Sequence, residues 1–339
     1  MTRKTPGIVR PLGIPADAIL RVLRVPAELS GMRLDRFVQG QLRNTSRTRA
    51  SAIVKRSAYS AEGRARRPSE RVREDEQIAL WRLPFEDTSE QAPLPVLYQD
   101  EHLLVIDKPA SVAVHPSARY HKTTVIKRLE EERPDEFLAL VHRLDRETSG
   151  ILLLARTPEA ERAFKRALEI RSLGGHDAQG AIEKIYLAVT RGVPAEGLLD
   201  VPLELDPENS LRVKMRVAAP GTGLEARTAL RVLERRAGYA LVECALHTGR
   251  QHQIRAHLAH LDCPIVGDKL YGPDERLLAR AADDELTSAD LILLELPRHA
   301  LHAHIFRMRH AVTGEPLEVV APLPEDLRAF WVALAERRS

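Results

Sequence analysis

Two short stretches concentrate side chains able to do chemistry. The first, VHRLDRETSG (141–150), sets His142, Arg143, Asp145, Arg146, Glu147, Thr148 and Ser149 directly ahead of the apolar run ILLLA. A charged loop pinned against a core strand holds functional groups on a rigid support. The same charges could equally pair among themselves on a surface. The second, HTGRQHQIRAHLAH (247–260), supplies His247, Arg250, His252, Arg255, His257 and His260. Four imidazoles suggest zinc, but HExxH and a cysteine pair are both missing, and helical spacing does not bring three of the histidines to one face. No metal site is expected. His257, three residues after Ile254 and four before Leu261, reads as a hydrogen-bonded histidine at the edge of the core. The chain contains neither GxGxxG nor GxxxxGKS/T, so no nucleotide cradle is expected either.

The elements that must carry these residues follow from periodicity. LLVID (103–107) and ILLLA (151–155) are short apolar runs, as in strands buried on both faces. Thr157-Pro158 opens a helix, with Glu159 and Glu161 in its first turn and Ala160, Ala163, Phe164, Ala167 and Leu168 at helical spacing. KIYLAVT alternates Lys184, Tyr186, Ala188 and Thr190 with Ile185, Leu187 and Val189, a strand pattern. ALRVLERRAGYALVECALH predicts two strands joined through Ala237-Gly238, and QHQIRAHLAHL (251–261) a helix with Ile254, Leu258 and Leu261 inward.

The string RLDR of the first stretch occurs once more, at 33–36. There Leu34, Phe37, Val38 and Leu42 fall at i, i+3, i+4 and i+8, which predicts an amphipathic helix within 31–44 whose charges flank or cap it. Ser46 could cap a second helix with Ala50, Ile53 and Val54 inward. Strands are expected at 58–60 and 77–81 around a turn at Gly63. Residues 1–20, with Pro6, Pro11 and Pro15, read as a flexible tail, and 84–95, with three prolines, as a linker.

Composition bounds the partners. The stretch from Arg43 to Arg73 carries ten basic residues against two acidic ones, although the whole chain has a net charge of only +3. Such a block suits a phosphate backbone, with Arg47, Arg49, Lys55 and Arg56 as candidate contacts; the other reading is a solvated basic face. Two cysteines without CxxC fit a reducing compartment. With no apolar stretch suited to a signal or a membrane span, the expected location is the cytoplasm, away from membranes.

Taken together, HRLDRETSGILLLA, KIYLAV and TGRQHQIRAHLAHLDCPIVGDKLYG resemble the ordered motifs of the RluA-type pseudouridine synthases. DEHLLVIDKPASVAVHP upstream and HALHAHIFRMRHAVTGEPLEVVAPLP downstream resemble that family's opening and closing segments, so the likeness spans about 95–325. The stretch 31–82 resembles the S4 RNA-binding module. Three positions depart from the pattern: Gln251 for Thr or Ser, Ala311 for the Pro after His310, and Ser57 for the glycine common in S4 modules.

The resemblance implies an α+β fold with a mixed, mostly antiparallel central sheet and flanking helices over 96–330. An S4-like module over 21–83 would precede it. It implies a monomer that isomerises uridine to pseudouridine in RNA, most simply large-subunit ribosomal RNA. Asp145 would be the nucleophile, Arg255 the cation beside it, and Tyr186 the aromatic that stacks on the base and assists proton removal from C5. Arg143 would occupy the space left by the extruded base, and Arg146, Arg250 and His252 would contact RNA. An isomerisation needs no metal, nucleotide or redox cofactor. A carboxylate is ionised at neutral pH without a base, yet burial could raise its pKa by ~3–5 units, so it needs a cation. Residue types alone leave attack at C1′ or C6 open. They also leave a transfer-RNA substrate and a non-catalytic RNA-binding or ribosome-assembly factor on the same fold. A glycoside hydrolase would need a second, opposed carboxylate, for which Glu147 is too near in sequence.

Overall fold

The computed structural model describes residues 7–16, 18–42, 45, 47–82, 92–116, 123–172, 182–209, 213–219, 221–274, 276–282 and 285–336. They form two compact units, and the two RLDR strings lie in different ones. The smaller unit comprises β1 (Ile19–Arg24), α1 (Leu34–Gln41), α2 (Arg47–Ser57), β2 (Ala58–Ser60) and β3 (Gln77–Arg82). Its three strands pair antiparallel in the order β1-β3-β2. Leu34, Phe37 and Val38 of α1 and Ala50 and Val54 of α2 form the apolar stripes expected of them, and they pack on Ile78 and Leu80 of β3. Residues 7–20 depart from the flexible-tail expectation. Ile8 and Ile14 pack with Ala79 and Trp81, Val9 N–H donates to Ala61 O at 2.8 Å, and β1 already begins at Ile19. The prolines shape these turns, while the apolar residues between them cover the Trp81 face. Ser46 and most of the 84–95 segment lie outside the described residues.

The larger unit is built on a ten-stranded sheet, with a separate two-stranded one formed by Leu203–Leu205 and Met215–Val217. Its elements are β4 (Val96–Gln99), β5 (Leu103–Lys108), α3 (Val125–Glu132), β6 (Ala139–Leu140), β7 (Ser149–Ala155), α4 (Pro158–Ser172), β8 (Glu183–Arg191) and β9 (Gly197–Asp200). There follow β10 (Leu203–Leu205), β11 (Met215–Val217), β12 (Arg227–Arg236), β13 (Tyr239–Leu246), α5 (Gln253–His260), α6 (Arg276–Ala282), α7 (Ser288–Leu294), β14 (Leu301–Arg309), β15 (Pro316–Val320) and α8 (Glu325–Glu336). Eight strands run in the order β4-β5-β7-β14-β8-β13-β12-β9; β15 joins β14, and β6 joins β7. The pairing of β7 with β14 is parallel, and the other described pairs of this sheet are antiparallel. This is the mixed, mostly antiparallel α+β sheet expected. No helix among the described residues is long and apolar enough to cross a membrane.

Every residue of β7 is buried, which explains why its sequence is apolar without alternation. β14 comes so close to its start that Gly150, at φ 106°, has no room for a side chain: an added Cβ would sit 2.2 Å from Ala303 O. α4 starts where Thr157-Pro158 predicts, and Thr157 Oγ1 accepts the Ala160 N–H at 3.1 Å.

Candidate active site

Asp145 sits in the loop between β6 and β7, and the loop is tied down from several sides. Lys108, at the end of β5, is fully buried, and its Nζ donates to Pro109 O at 2.7 Å, Val112 O at 3.0 Å and Arg146 O at 3.0 Å. Burial pushes this amine down to about 7. Three carbonyl acceptors nevertheless call for three N–H donors, which only the ammonium form has. Thr148 Oγ1 pairs with His299 Nε2 at 2.8 Å. Ser149 donates to His302 Nδ1 at 2.9 Å, and His302 Nε2 donates to Ala321 O at 3.2 Å. Burial holds both imidazoles down at about 4, so they are neutral structural ties at neutral pH. Glu147 accepts from Lys269 at 2.7 Å and from Arg146 at 3.1 Å, so the nearest carboxylate in sequence is used in anchoring the loop.

A residue 110 positions away meets Asp145. Arg255 of α5 donates from Nη1 to Asp145 Oδ2 at 2.8 Å. Its other two donors, Nε and Nη2, form a two-pronged pair with the buried Asp268 at 2.7 and 2.9 Å. Asp268 Oδ1 also accepts the backbone N–H groups of Leu270 and Tyr271, each at 2.9 Å. The guanidinium lies over the Tyr271 ring, 5.1 Å from its centroid. Asp268 therefore fixes the rotation of the fork, and the remaining N–H projects at the candidate nucleophile.

Burial works to raise the Asp145 carboxyl, but the nearby charges of His252, Arg255 and His299 outweigh it, and the net shift is downward. His252 and His299 are both held at about 4. At neutral pH they are uncharged, and Arg255 is the permanent cation that keeps Asp145 ionised. His252 Nε2 stands 3.7 Å from Asp145 Oδ2. Side-chain exposure of Asp145 is 27%, against 0% for Asp268. Of the two carboxylates on Arg255, only Asp145 can meet a substrate.

Tyr186 is half-buried on β8, opposite Cys244 on β13 and Ala303 on β14. Burial raises its hydroxyl to about 12; the charge of Arg171 works against this and that of Asp145 adds to it. Arg171, at the end of α4, donates to the backbone oxygens of Ile182 and Leu246. Arg143 is exposed on the Asp145 loop, and its charge is felt at His252. Arg250 Nε donates to Glu225 O at 2.8 Å. His257 is fully buried, with Nδ1 3.0 Å from Thr228 Oγ1 and Nε2 donating to Val201 O at 3.0 Å, as a core histidine should be. His247 and His260 are exposed. In the smaller unit Arg47, Lys55 and Arg56 are exposed and Arg49 is half-buried. Arg66 of the same basic block is buried and paired with Glu70 and Glu76, so it holds the unit together and takes no part in a basic face.

The sequence profile of the RNA pseudouridylate synthase family matches residues 102–260, from the start of β5 through α5. The ribosomal large subunit pseudouridine synthase D of Xanthomonas campestris pv. campestris is 36% identical over 331 residues, 95% of this chain and 95% of that protein. The protein of the same name in Pseudomonas aeruginosa is 34% identical over 325 residues, 94% of this chain and 96% of its own length. Among solved structures, human RNA pseudouridylate synthase domain containing 4 aligns with a TM-score of 0.53 at 28% identity, over 71% of this chain and 92% of that one. These likenesses define an isomerase working on uridine in RNA. The chain belongs to the RNA pseudouridylate synthase family.

Proposed function

We propose that this enzyme converts uridines of large-subunit ribosomal RNA to pseudouridine in the cytoplasm, as a monomer, with Asp145 as nucleophile. The observation that carries the reading is the 2.8 Å contact from Arg255 to Asp145, with Arg255 itself fixed by Asp268. It supplies the cation that a partly buried carboxylate needs to remain ionised. The ribosomal target rests on the relatives, which are named for the large subunit. The smaller unit is read as an S4-like RNA-holding module, with Arg47, Arg49, Lys55 and Arg56 on the phosphate backbone and Arg146 and Arg250 nearer the site.

In this mechanism Arg143 fills the gap as the target base is extruded, and the base stacks on Tyr186. Asp145 bonds to the nucleotide, the glycosidic bond breaks, the uracil turns, and C5 takes its place on C1′. The C5 proton then leaves and the carboxylate is restored. The charge of Asp145 is one of the influences holding the Tyr186 hydroxyl up. Purified protein should release tritium from 5-³H-uridine in unmodified ribosomal RNA, and Asp145→Asn should abolish the release. Undiminished release by Asp145→Asn would remove Asp145 from the mechanism. Release from transfer RNA only would redirect the substrate assignment.

A further inference from the structure

His252 is so far one more RNA contact, but its setting is unusual. It directly precedes α5 at φ 55°, ψ 17°, a left-handed conformation that residues with a side chain rarely adopt. The turn before it is knotted by the buried Gln253. The Gln253 side-chain oxygen accepts from Thr248 Oγ1 at 2.8 Å and from Arg250 N–H at 3.0 Å, and its amide donates to Arg227 O at 2.9 Å. The ring is oriented as firmly as the backbone. Its Nδ1 lies 3.2 Å from Tyr271 Oη, and that oxygen already accepts the Met215 N–H at 2.7 Å. Donation of the Tyr271 proton to Nδ1 then gives both groups a partner. A neutral imidazole that accepts at Nδ1 carries its own proton on Nε2. Burial first, and the Arg255 charge second, keep this ring neutral at neutral pH. Nε2 faces Asp145 Oδ2, the same oxygen that takes Arg255. Among the described residues no hydrogen bond reaches Oδ1.

We propose that His252 is a positioning residue for the nucleophile: its Nε2–H and Arg255 together fix Oδ2, which leaves Oδ1 as the atom that bonds to the nucleotide. The proposal rests on Asp145 being that nucleophile. At 3.7 Å the contact is too long for a hydrogen bond, and contacts of this kind tighten in the substrate complex. A lone pair of Oδ1 forms the new bond. The displaced pair passes to the uracil: the glycosidic pair for attack at C1′, or the C5–C6 π pair for attack at C6. Oδ2 then becomes the carbonyl oxygen of the ester and still accepts the Nε2–H. A neutral donor suits both states.

Two replacements separate this role from RNA contact. In His252→Gln the side-chain nitrogen takes the place of Nε2; in His252→Asn it takes the place of Nδ1 and cannot reach Asp145. Asparagine also accepts the left-handed backbone readily. The full-length variants are compared for tritium release under single and multiple turnover, for filter binding to ribosomal RNA, and for thermal melting. His252→Gln should keep kcat within about 3-fold, and His252→Asn should lose about 10-fold or more in kcat at unchanged KM and melting temperature. A loss confined to KM or RNA affinity, or an equal loss in both variants, would overturn the proposal. So would full activity of His252→Asn. Asp145→Asn assayed alongside reports separately on the nucleophile: if it turns over, that reading has failed whatever His252 does.

Discussion

The two RLDR strings spell the same residues and build opposite environments. At 33–36 the carboxylate is satisfied from within its own neighbourhood. Asp35 takes Arg33 on both oxygens, at 3.1 and 2.8 Å, and the Arg36 backbone N–H at 2.9 Å. It is only 2% exposed. At 143–146 the flanking arginines are directed elsewhere: Arg143 is exposed and Arg146 binds Glu147. Asp145 receives its cation from Arg255, and on one oxygen only. Both carboxyls are held below their ordinary range, Asp35 chiefly by its hydrogen bonds from Arg33 and Asp145 by the surrounding charge acting against burial. A lowered pKa therefore does not distinguish a structural carboxylate from the proposed nucleophile. The distinguishing features are the oxygen left unbonded and the exposure of the group.

The sharpest way to break this contrast is to neutralise each carboxylate in turn. Asp145→Asn should lower tritium release by more than about 1,000-fold, and Asp35→Asn should leave kcat within about 2-fold. Asp268→Asn tests the remote cation. The fork of Arg255 loses its charged anchor, and kcat should fall about 100-fold in a misaligned site, with RNA affinity unchanged. Acid should separate the two units as well. All 13 histidines lie after residue 100, and the buried His299 and His302 have folded values of about 4, below the ordinary unfolded value. Between the two values the unfolded chain binds more protons, so stability is complete above pH ~6.5 and falls towards pH ~4, by about 2 kcal/mol for each imidazole at pH 5. The two tryptophans, Trp81 and Trp331, fall one to each unit. Fluorescence melts of Trp81→Phe and Trp331→Phe should show the larger unit weakening from pH 7 to 5 while the smaller one holds. The smallest effect belongs to the structural string: Asp35→Asn should cost the smaller unit about 1–2 kcal/mol in a urea melt.

Much of this was legible because it repeats with a period. The alternation of KIYLAVT gave β8 and the face of Tyr186, Thr157-Pro158 gave the start of α4, and Ala237-Gly238 the turn between β12 and β13. The resemblance to the RluA-type synthases implied Arg255 as the cation beside Asp145, and the two do meet. Asp268 and Lys108 went unassigned, although both lie in quoted motifs, GDKLYG and DKPAS. Their roles depend on total burial, and a string of letters gives a lone charged residue no mark of being inside. The same blindness affected Arg66, counted in a basic block and found under it. The turns of residues 7–16 were hidden by prolines, which signal irregular backbone but not whether it packs.

Gly150, with β14 closing on its backbone, also sets a timetable. The strand that carries Asp145's loop is completed by His302 and Ala303, about 150 residues later in synthesis. Contacts so distant in sequence form slowly and late, after nearer ones have settled. A nascent chain that has already made Asp145, Tyr186 and Arg255 thus still lacks the neighbour that sets the loop. A chain stopped short of β14 therefore carries Asp145, Tyr186 and Arg255 without the strand that orders the loop.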